Sequence, residues 1–351
     1  MKTKMKFLKI IVSNFITLFI ALLIFISCSK EDILIDNYSN NFSFIFQTSD
    51  NNLQKISTKD NLISEILQNF NFGKIDVMKN FRGKFYFISS ENKKIFVIKE
   101  NTFEIEEIDF SDLNLVPIDI CFPNATDAYV AHSNENCVTI LDLTNNKISE
   151  IRITVSGFAG KIAGVGNQVH LTIPDKNLVE IIDTRTNKVE KSLTVSDKPT
   201  FVEFFDDGTK SVVISMGNGK EINSSQEMTS AKFTVIDVLE QKIISEMKIG
   251  DNAEVSIIPT SLAISPRFIY ISATSISSVA STVWRTSVSN FNSLVSMSRN
   301  SASFIGYSPK HNIVYLLEES RSQRQLTLFT VANSRIKTVP FIEIPTVIID
   351  E

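Results

Sequence analysis

Three cysteines, three histidines and one tryptophan are all that a chain of 351 residues carries of these types, and each scarcity closes off a class of protein. With only Cys28, Cys121 and Cys137, disulfide bridges are not what holds the chain together. His132, His170 and His311 are too few and too scattered to form a recognisable metal set. No metal or cofactor is therefore expected. No Gly-x-Ser-x-Gly elbow, phosphate-binding loop or His-Glu-x-x-His helix is present. Acidic pairs occur at Glu106-Glu107 and Asp206-Asp207, but each pair is adjacent in sequence, and Asp207-Gly208 reads as a hairpin turn between two strands. The expectation is a protein that performs no chemistry itself. A basic excess is also missing, since the net charge is -4, and nucleic acid is excluded as a partner.

What is present begins with an address. Lys2, Lys4, Lys6 and Lys9 precede an apolar run from Ile10 to Ile26, the composition of a secretion signal over residues 1–27. A transmembrane anchor is the competing reading, because the run is nearly long enough to span a bilayer. Phe25-Ile26-Ser27-Cys28 resembles a bacterial lipobox, with Phe25 where leucine is usual, which assigns Cys28 as the lipidated residue. Lys30-Glu31-Asp32 directly behind it resembles the export signal of surface lipoproteins in the Bacteroidota. The expected location is thus the cell surface, at a bacterial outer membrane, with residues 28–42 as lipidated cysteine and tether. Removing the first 27 residues takes four lysines and no acids, leaving a net charge near -8.

Residues 43–351 carry a repeat. When segments are stacked on Ser57, Lys99, Asp142, Asp183, Asp237, Arg285 and Thr330, the preceding residue is always apolar, from Ile56 and Ile98 through to Trp284 and Phe329. The residue six positions on is apolar too, as in Ile63, Ile105 and Ile148. The steps are 42, 43, 41, 54, 48 and 45 residues, a period of radial or stacked β architectures. Short runs such as Val138-Thr139-Ile140-Leu141 are apolar on both sides, as strands covered on both faces are. Turn-rich Thr144-Asn145-Asn146-Lys147 then leads into a further strand. A strand opened by proline recurs upstream at Pro117, Pro199 and Pro259. Four antiparallel strands in each of seven units predict an all-β, seven-bladed β-propeller. The first unit lacks a first strand, and Ile344-Pro345-Thr346-Val347-Ile348-Ile349 supplies one, so the ring is expected to close by pairing the C-terminal strand with the N-terminal blade.

Tyr129-Val130-Ala131-His132-Ser133, followed by Ile140-Leu141-Asp142 and Asn146-Lys147-Ile148, resembles the YVTN-type propeller repeat. The likeness covers residues 43–351, is best in blades three and four, and decays in blades six and seven, where Arg285 and Thr330 replace the acid. The resemblance implies a secreted or surface propeller. Lipoprotein relatives in the Bacteroidota include corrinoid-capturing partners of outer-membrane transporters, and some related propellers are lyases. Asp142, Asp183 and Asp237 are expected to cap the turns that follow them. His170 stands where blade three has Tyr129 and is expected to be a strand residue with a satisfied partner. Trp284 is expected in the packing between blades. Cys121 and Cys137, a strand apart, are expected to be free thiols, because strands lie about 4.8 Å apart.

The long step into blade five places an insertion at Ser215 to Lys232, and a smaller addition lies at Ala273 to Ser281. These connections open on the same face as the links between blades. They read either as binding loops or as solvated excursions. The candidate ligand-binding residues on that face are Phe158, Lys220, Glu221, Arg321 and Arg324. The expected function is ligand binding or docking, as a nutrient-capture accessory to an outer-membrane transporter with a corrinoid-type ligand as one candidate. A protein or matrix adhesion module and a lyase-type propeller enzyme are the alternatives. The expected partners are the membrane through the N-terminal lipid and either a transporter or a small molecule, bound by a monomeric propeller.

Overall fold

The computed structural model describes residues 42–67, 70–218, 229–250, 257–275, 281–297, 302–319, 324–341, 345 and 347–350. Cys28, Lys30, Glu31, Asp32, Lys220, Glu221 and Arg321 lie outside the described residues. Those described form seven four-stranded antiparallel sheets and no helix. Blade three shows the plan, with strands Pro117–Cys121, Asp127–His132, Cys137–Asp142 and Lys147–Thr154 paired in chain order. First strands of neighbouring blades contact each other from blade one through to blade seven, so they line the axis.

Burial follows from this arrangement. Second and third strands are sandwiched between neighbouring blades, so every side chain from Ala128 to His132 is buried. Fourth strands face solvent on the rim, and Lys188–Thr194 is exposed or half-buried throughout. Cores such as those around Cys121 to Ile182 and around Phe205 to Ala273 draw residues from two neighbouring blades, so each blade buries its apolar faces against the next.

The ring closes as expected. Val347–Asp350 runs antiparallel to Ser43–Gln47, with Phe44 opposite Asp350 and Gln47 opposite Val347, and becomes the first strand of blade one. That pairing satisfies an edge which would otherwise present unpaired backbone groups. Phe42 is buried, and its N–H donates to Thr58 Oγ1 at 2.9 Å.

The recurring acids are turn caps. The Thr144 N–H donates to Asp142 Oδ1, that of Arg185 to Asp183 Oδ1 and that of Glu240 to Asp237 Oδ1, each at 2.8 Å. Asn146 and Asn187 then take left-handed backbone conformations, φ 54°, which asparagine tolerates better than most residues. In blade six the third strand runs Ser281–Ser287, and Ser287 pairs with Phe268 at the place Asp237 holds opposite Lys210. The equivalent residue there is Ser287, not Arg285, and the flanking steps become 50 and 43 residues. Its hydroxyl accepts the Ser289 N–H at 3.2 Å, and Ser57 accepts the Lys59 N–H at 3.3 Å, so the capping role outlives the acid.

Three smaller expectations are corrected. Blade six opens at Ile257 rather than Pro259, which lies at a register shift two residues inside the strand. At Asp206-Asp207-Gly208 the first turn is centred one residue earlier than expected, on Asp206-Asp207, both at φ 53°, with the Gly208 N–H donating to the Phe205 carbonyl. Ala273 to Ser275 and Ser281 are strand rather than loop, because the second and third strands of blade six are longer than their equivalents.

One column ties blades three, four and six to the blades that follow them. Tyr129 donates from its hydroxyl to Asn187 Oδ1 in the turn of blade four at 2.6 Å. His170, at the same place in blade four, reaches Ser211 Oγ of blade five at 2.8 Å. Tyr270 of blade six points to the Val331 carbonyl of blade seven at 3.5 Å. The tyrosine of the repeat is thus an inter-blade tie, and His170 has the expected satisfied partner.

Candidate functional site

The first strand of each blade starts on the face where the inter-blade links and the loops between second and third strands lie. The opposite face carries the hairpins. Two cavities on the axis, of about 410 and 620 Å³, open towards these two sides and share Met78, Lys79, Glu203, Leu262, Phe304 and Ile348. The first faces the links, since Lys161 and the starts of the first strands line it. The second is bounded by Tyr307, Pro309 and Lys310, near the hairpin between the first two strands of blade seven.

A single layer of first-strand residues decides the character of the axis. The residues paired with the tie column are Ile349, Lys79, Cys121, Ala163, Glu203, Ala263 and Gly306. Five are small or apolar, and Gly306 leaves room for Tyr315, whose ring lies 2.1 Å from where a Cβ would be. The two charged exceptions are in blades two and five, three steps apart, which is as far apart as a ring of seven allows. Lys79 and Glu203 therefore approach the axis from opposing sides.

Asp119 joins them from blade three. It is almost fully buried and accepts the Ile120 N–H at 3.0 Å and, through Oδ2, the Ile162 N–H of blade four at 3.1 Å. Lys79 Nζ lies 4.0 Å from Asp119 Oδ1, with the lysine side chain one third exposed into the cavity. The negative charge of Asp119 raises the Lys79 pKa against the opposing effect of burial. Burial pushes the Glu203 carboxyl up, with the Lys79 charge acting against it. Glu203 Oε1 accepts the N–H of Phe204 at 3.1 Å. Lys79 and Glu203 influence each other without forming an ion pair within 4.0 Å. Within this layer one ammonium and one carboxylate oppose each other, and Asp76, Asp119 and Lys161 add further charge to the cavity that faces the links. Asp119 and Glu203 bring carboxylates from different blades together, a convergence that the adjacent pairs Glu106-Glu107 and Asp206-Asp207 do not indicate. The available signal was charge at first-strand positions that the other blades fill with alanine, cysteine, isoleucine or glycine.

Of the residues expected to bind ligand, Phe158 and Arg324 are described, and they lie on different blades. Phe158, half exposed, lies in the link between blades three and four. Arg324 opens the third strand of blade seven, within the ladder rather than in the loop, and pairs with Glu319 through Nε at 3.0 Å. Neither lines the axial cavities. The neck of the blade-five insertion is tied down: Thr229 Oγ1 donates to Asp197 Oδ2 at 2.6 Å, and the Asn218 N–H donates to Thr229 Oγ1 at 2.9 Å. Cys121 and Cys137 are buried free thiols, as expected, and burial raises the pKa of both. Trp284 packs half-buried against the core shared by blades five and six. Among the described residues no group of histidines, cysteines and acids is placed to hold a metal ion.

This fold and axis define a seven-bladed β-propeller with a charged axial cavity. No family model matches the sequence, and no curated protein matches it. Among solved structures the chain is similar to a putative 6-phosphogluconolactonase from Bacteroides uniformis, at 9% identity and a TM-score of 0.65, covering 89% of this chain and 100% of that one. It is also similar to a protein from Lactobacillus plantarum, at 10% identity and a TM-score of 0.64, covering 89% and 99%. A third similar structure is hydrazine synthase of Kuenenia stuttgartiensis, at 13% identity and a TM-score of 0.62, covering 78% and 90%. At these identities the likeness establishes the fold alone.

Proposed function

We propose that this chain is a ligand-binding propeller, held at the outer surface of a bacterial outer membrane by a lipid on Cys28, that captures a small molecule in its axial cavity. The observation that carries the reading is the cavity itself, where Lys79 and Glu203 face each other among apolar first-strand side chains. Its volumes, about 410 and 620 Å³, fall within the roughly 300–1,000 Å³ of small-molecule sites. The basic and apolar N-terminus, Cys28 and Lys30-Glu31-Asp32 support the address and a role as capture accessory to an outer-membrane transporter. A corrinoid is too large for the axis and would lie across the link-bearing face, where Phe158 and Arg324 stand.

The test is a thermal-shift panel on the detergent-solubilised protein, with amino acids, monosaccharides and cobalamin. At least one class raises the melting temperature in a concentration-dependent way. A panel that leaves it unchanged throughout sinks the binding reading. Labelled palmitate incorporation that persists in Cys28→Ala would remove the anchor.

One observation favours a second reading, acid–base catalysis, because Lys79, Asp119 and Glu203 converge from three blades. The phosphorylated lactone suggested by the Bacteroides uniformis structure fits poorly, since three carboxylates, Asp76, Asp119 and Glu203, stand against two lysines, Lys79 and Lys161. Turnover of an unphosphorylated lactone that disappears in Glu203→Gln would support catalysis, and equal rates in both forms would exclude this site.

A further inference from the structure

The binding reading does not say which molecule the axis takes, and the arrangement of its charges narrows the choice. Asp119 is occupied: both carboxylate oxygens accept backbone N–H groups, and it is the nearest counter-charge of Lys79 at 4.0 Å. That distance is too long for a hydrogen bond, so the ammonium keeps donors for a further acceptor. Glu203 has one oxygen engaged by its neighbour's N–H and a second that can accept from elsewhere. The two residues belong to blades three steps apart, the cavity lies between them, and no ion pair closes the gap. Around them Phe201, Leu262, Phe304 and Ile348 give apolar and aromatic surface, while Asp76, Lys161, Thr260 and Ser261 add polar groups to the same lining.

An inserted molecule must satisfy an ammonium donor on one side and a carboxylate on the other, and cover apolar surface between. A simple anion meets Glu203 with the wrong sign, and a simple cation meets Lys79 with the wrong sign. A neutral apolar molecule leaves Glu203 and the remaining donors of Lys79 desolvated without a partner, which is costly. A compact zwitterion satisfies both at once.

We propose that the axial cavity binds a small zwitterion of the α-amino acid class with an apolar side chain, its carboxylate on Lys79 and its ammonium on Glu203. This rests on the small-molecule reading above. The side chain lies against Phe201 and Phe304, where a branched aliphatic or aromatic group replaces water. Asp119 is a positioning residue, which holds Lys79 in place and anchors the first strand of blade four without touching the ligand.

The test is calorimetric titration of the detergent-solubilised protein with L-leucine and L-phenylalanine, alongside isoamylamine, which lacks the carboxylate, and 4-methylpentanoate, which lacks the ammonium. The zwitterions bind at least tenfold more tightly than either single-charge analogue. Glu203→Gln and Lys79→Met each weaken L-leucine binding by tenfold or more, while the amine loses affinity only in Glu203→Gln. Circular dichroism melts of both variants establish that they fold. Binding of the amine as tight as that of leucine, with no effect of Lys79→Met, would overturn the proposal. If sugars or cobalamin shift the melt and amino acids give no heat, this inference falls while the binding reading stands. If no small molecule of the panel binds, both fall.

Discussion

Acidification between pH 7 and pH 5 should destabilise this propeller through two histidines that have no role at the axis. His170 is buried between blades four and five, bonded to Ser211 and packed on Phe204 at 4.6 Å, and desolvation lowers its pKa to about 3. His132 bonds to Thr139 and faces Phe110 at 5.3 Å, and desolvation chiefly lowers it to about 4. In the unfolded chain both titrate near 6.5. The folded pKa lies below the unfolded one, so the unfolded state binds more protons as pH falls, and stability present above 6.5 is lost on acidification. At 1.36 kcal/mol per unit, each histidine costs about 2 kcal/mol at pH 5, and the two together cost on the order of 4 kcal/mol. Against a typical total of about 5–15 kcal/mol, that is a large fraction. Urea unfolding of the detergent-solubilised protein at pH 7.5, 6.5, 5.5 and 5.0 measures it. His170→Tyr places in blade four the residue that blades two, three, six and seven use in this column, and should remove about half of the slope. A midpoint that stays constant between pH 7 and pH 5 would refute the buried, neutral histidines.

Further outcomes follow from the same packing. Tyr129→Phe removes the 2.6 Å bond to Asn187 and should lower stability by about 1 kcal/mol in urea unfolding. An equal effect on the unaltered protein and on Asn187→Ala would show that the tie contributes nothing. With Cys28 lipidated, an aromatic disulfide reagent should titrate no thiol in the native protein and two after denaturation, from Cys121 and Cys137. Deleting residues 345–351 removes the strand opposite Phe44 to Gln47 and should give an aggregating chain. A monomeric, cooperatively melting product would contradict closure by that strand.

The architecture was legible because turn capping repeats. Asp142, Asp183 and Asp237 mark where the third strand ends, and the apolar residue before each is held between blades. Legibility failed in blade six, where a serine performs the cap and Arg285 stands two residues earlier in its place. The axial site was not legible for a different reason. Lys79, Asp119 and Glu203 are far apart in sequence, and register shifts inside first strands, as between Pro117 and Asp119, hide which residues share a layer. Two of them become equivalent only once each is paired with its second strand, opposite Tyr86 and Val212. The sequence departs most in length at the blade-five insertion, whereas the departure that matters chemically is charge within a column of small or apolar residues.

Met78 lies beside Lys79, is nearly buried and lines both axial cavities. Its methyl group reports on the axis directly. In methyl-labelled protein, with the resonance assigned by Met78→Leu, saturating L-leucine should move the Met78 signal while that of Met247 on the outer strand of blade five stays in place. Binding detected by calorimetry with no movement of Met78 would put the ligand elsewhere and contradict the axial site.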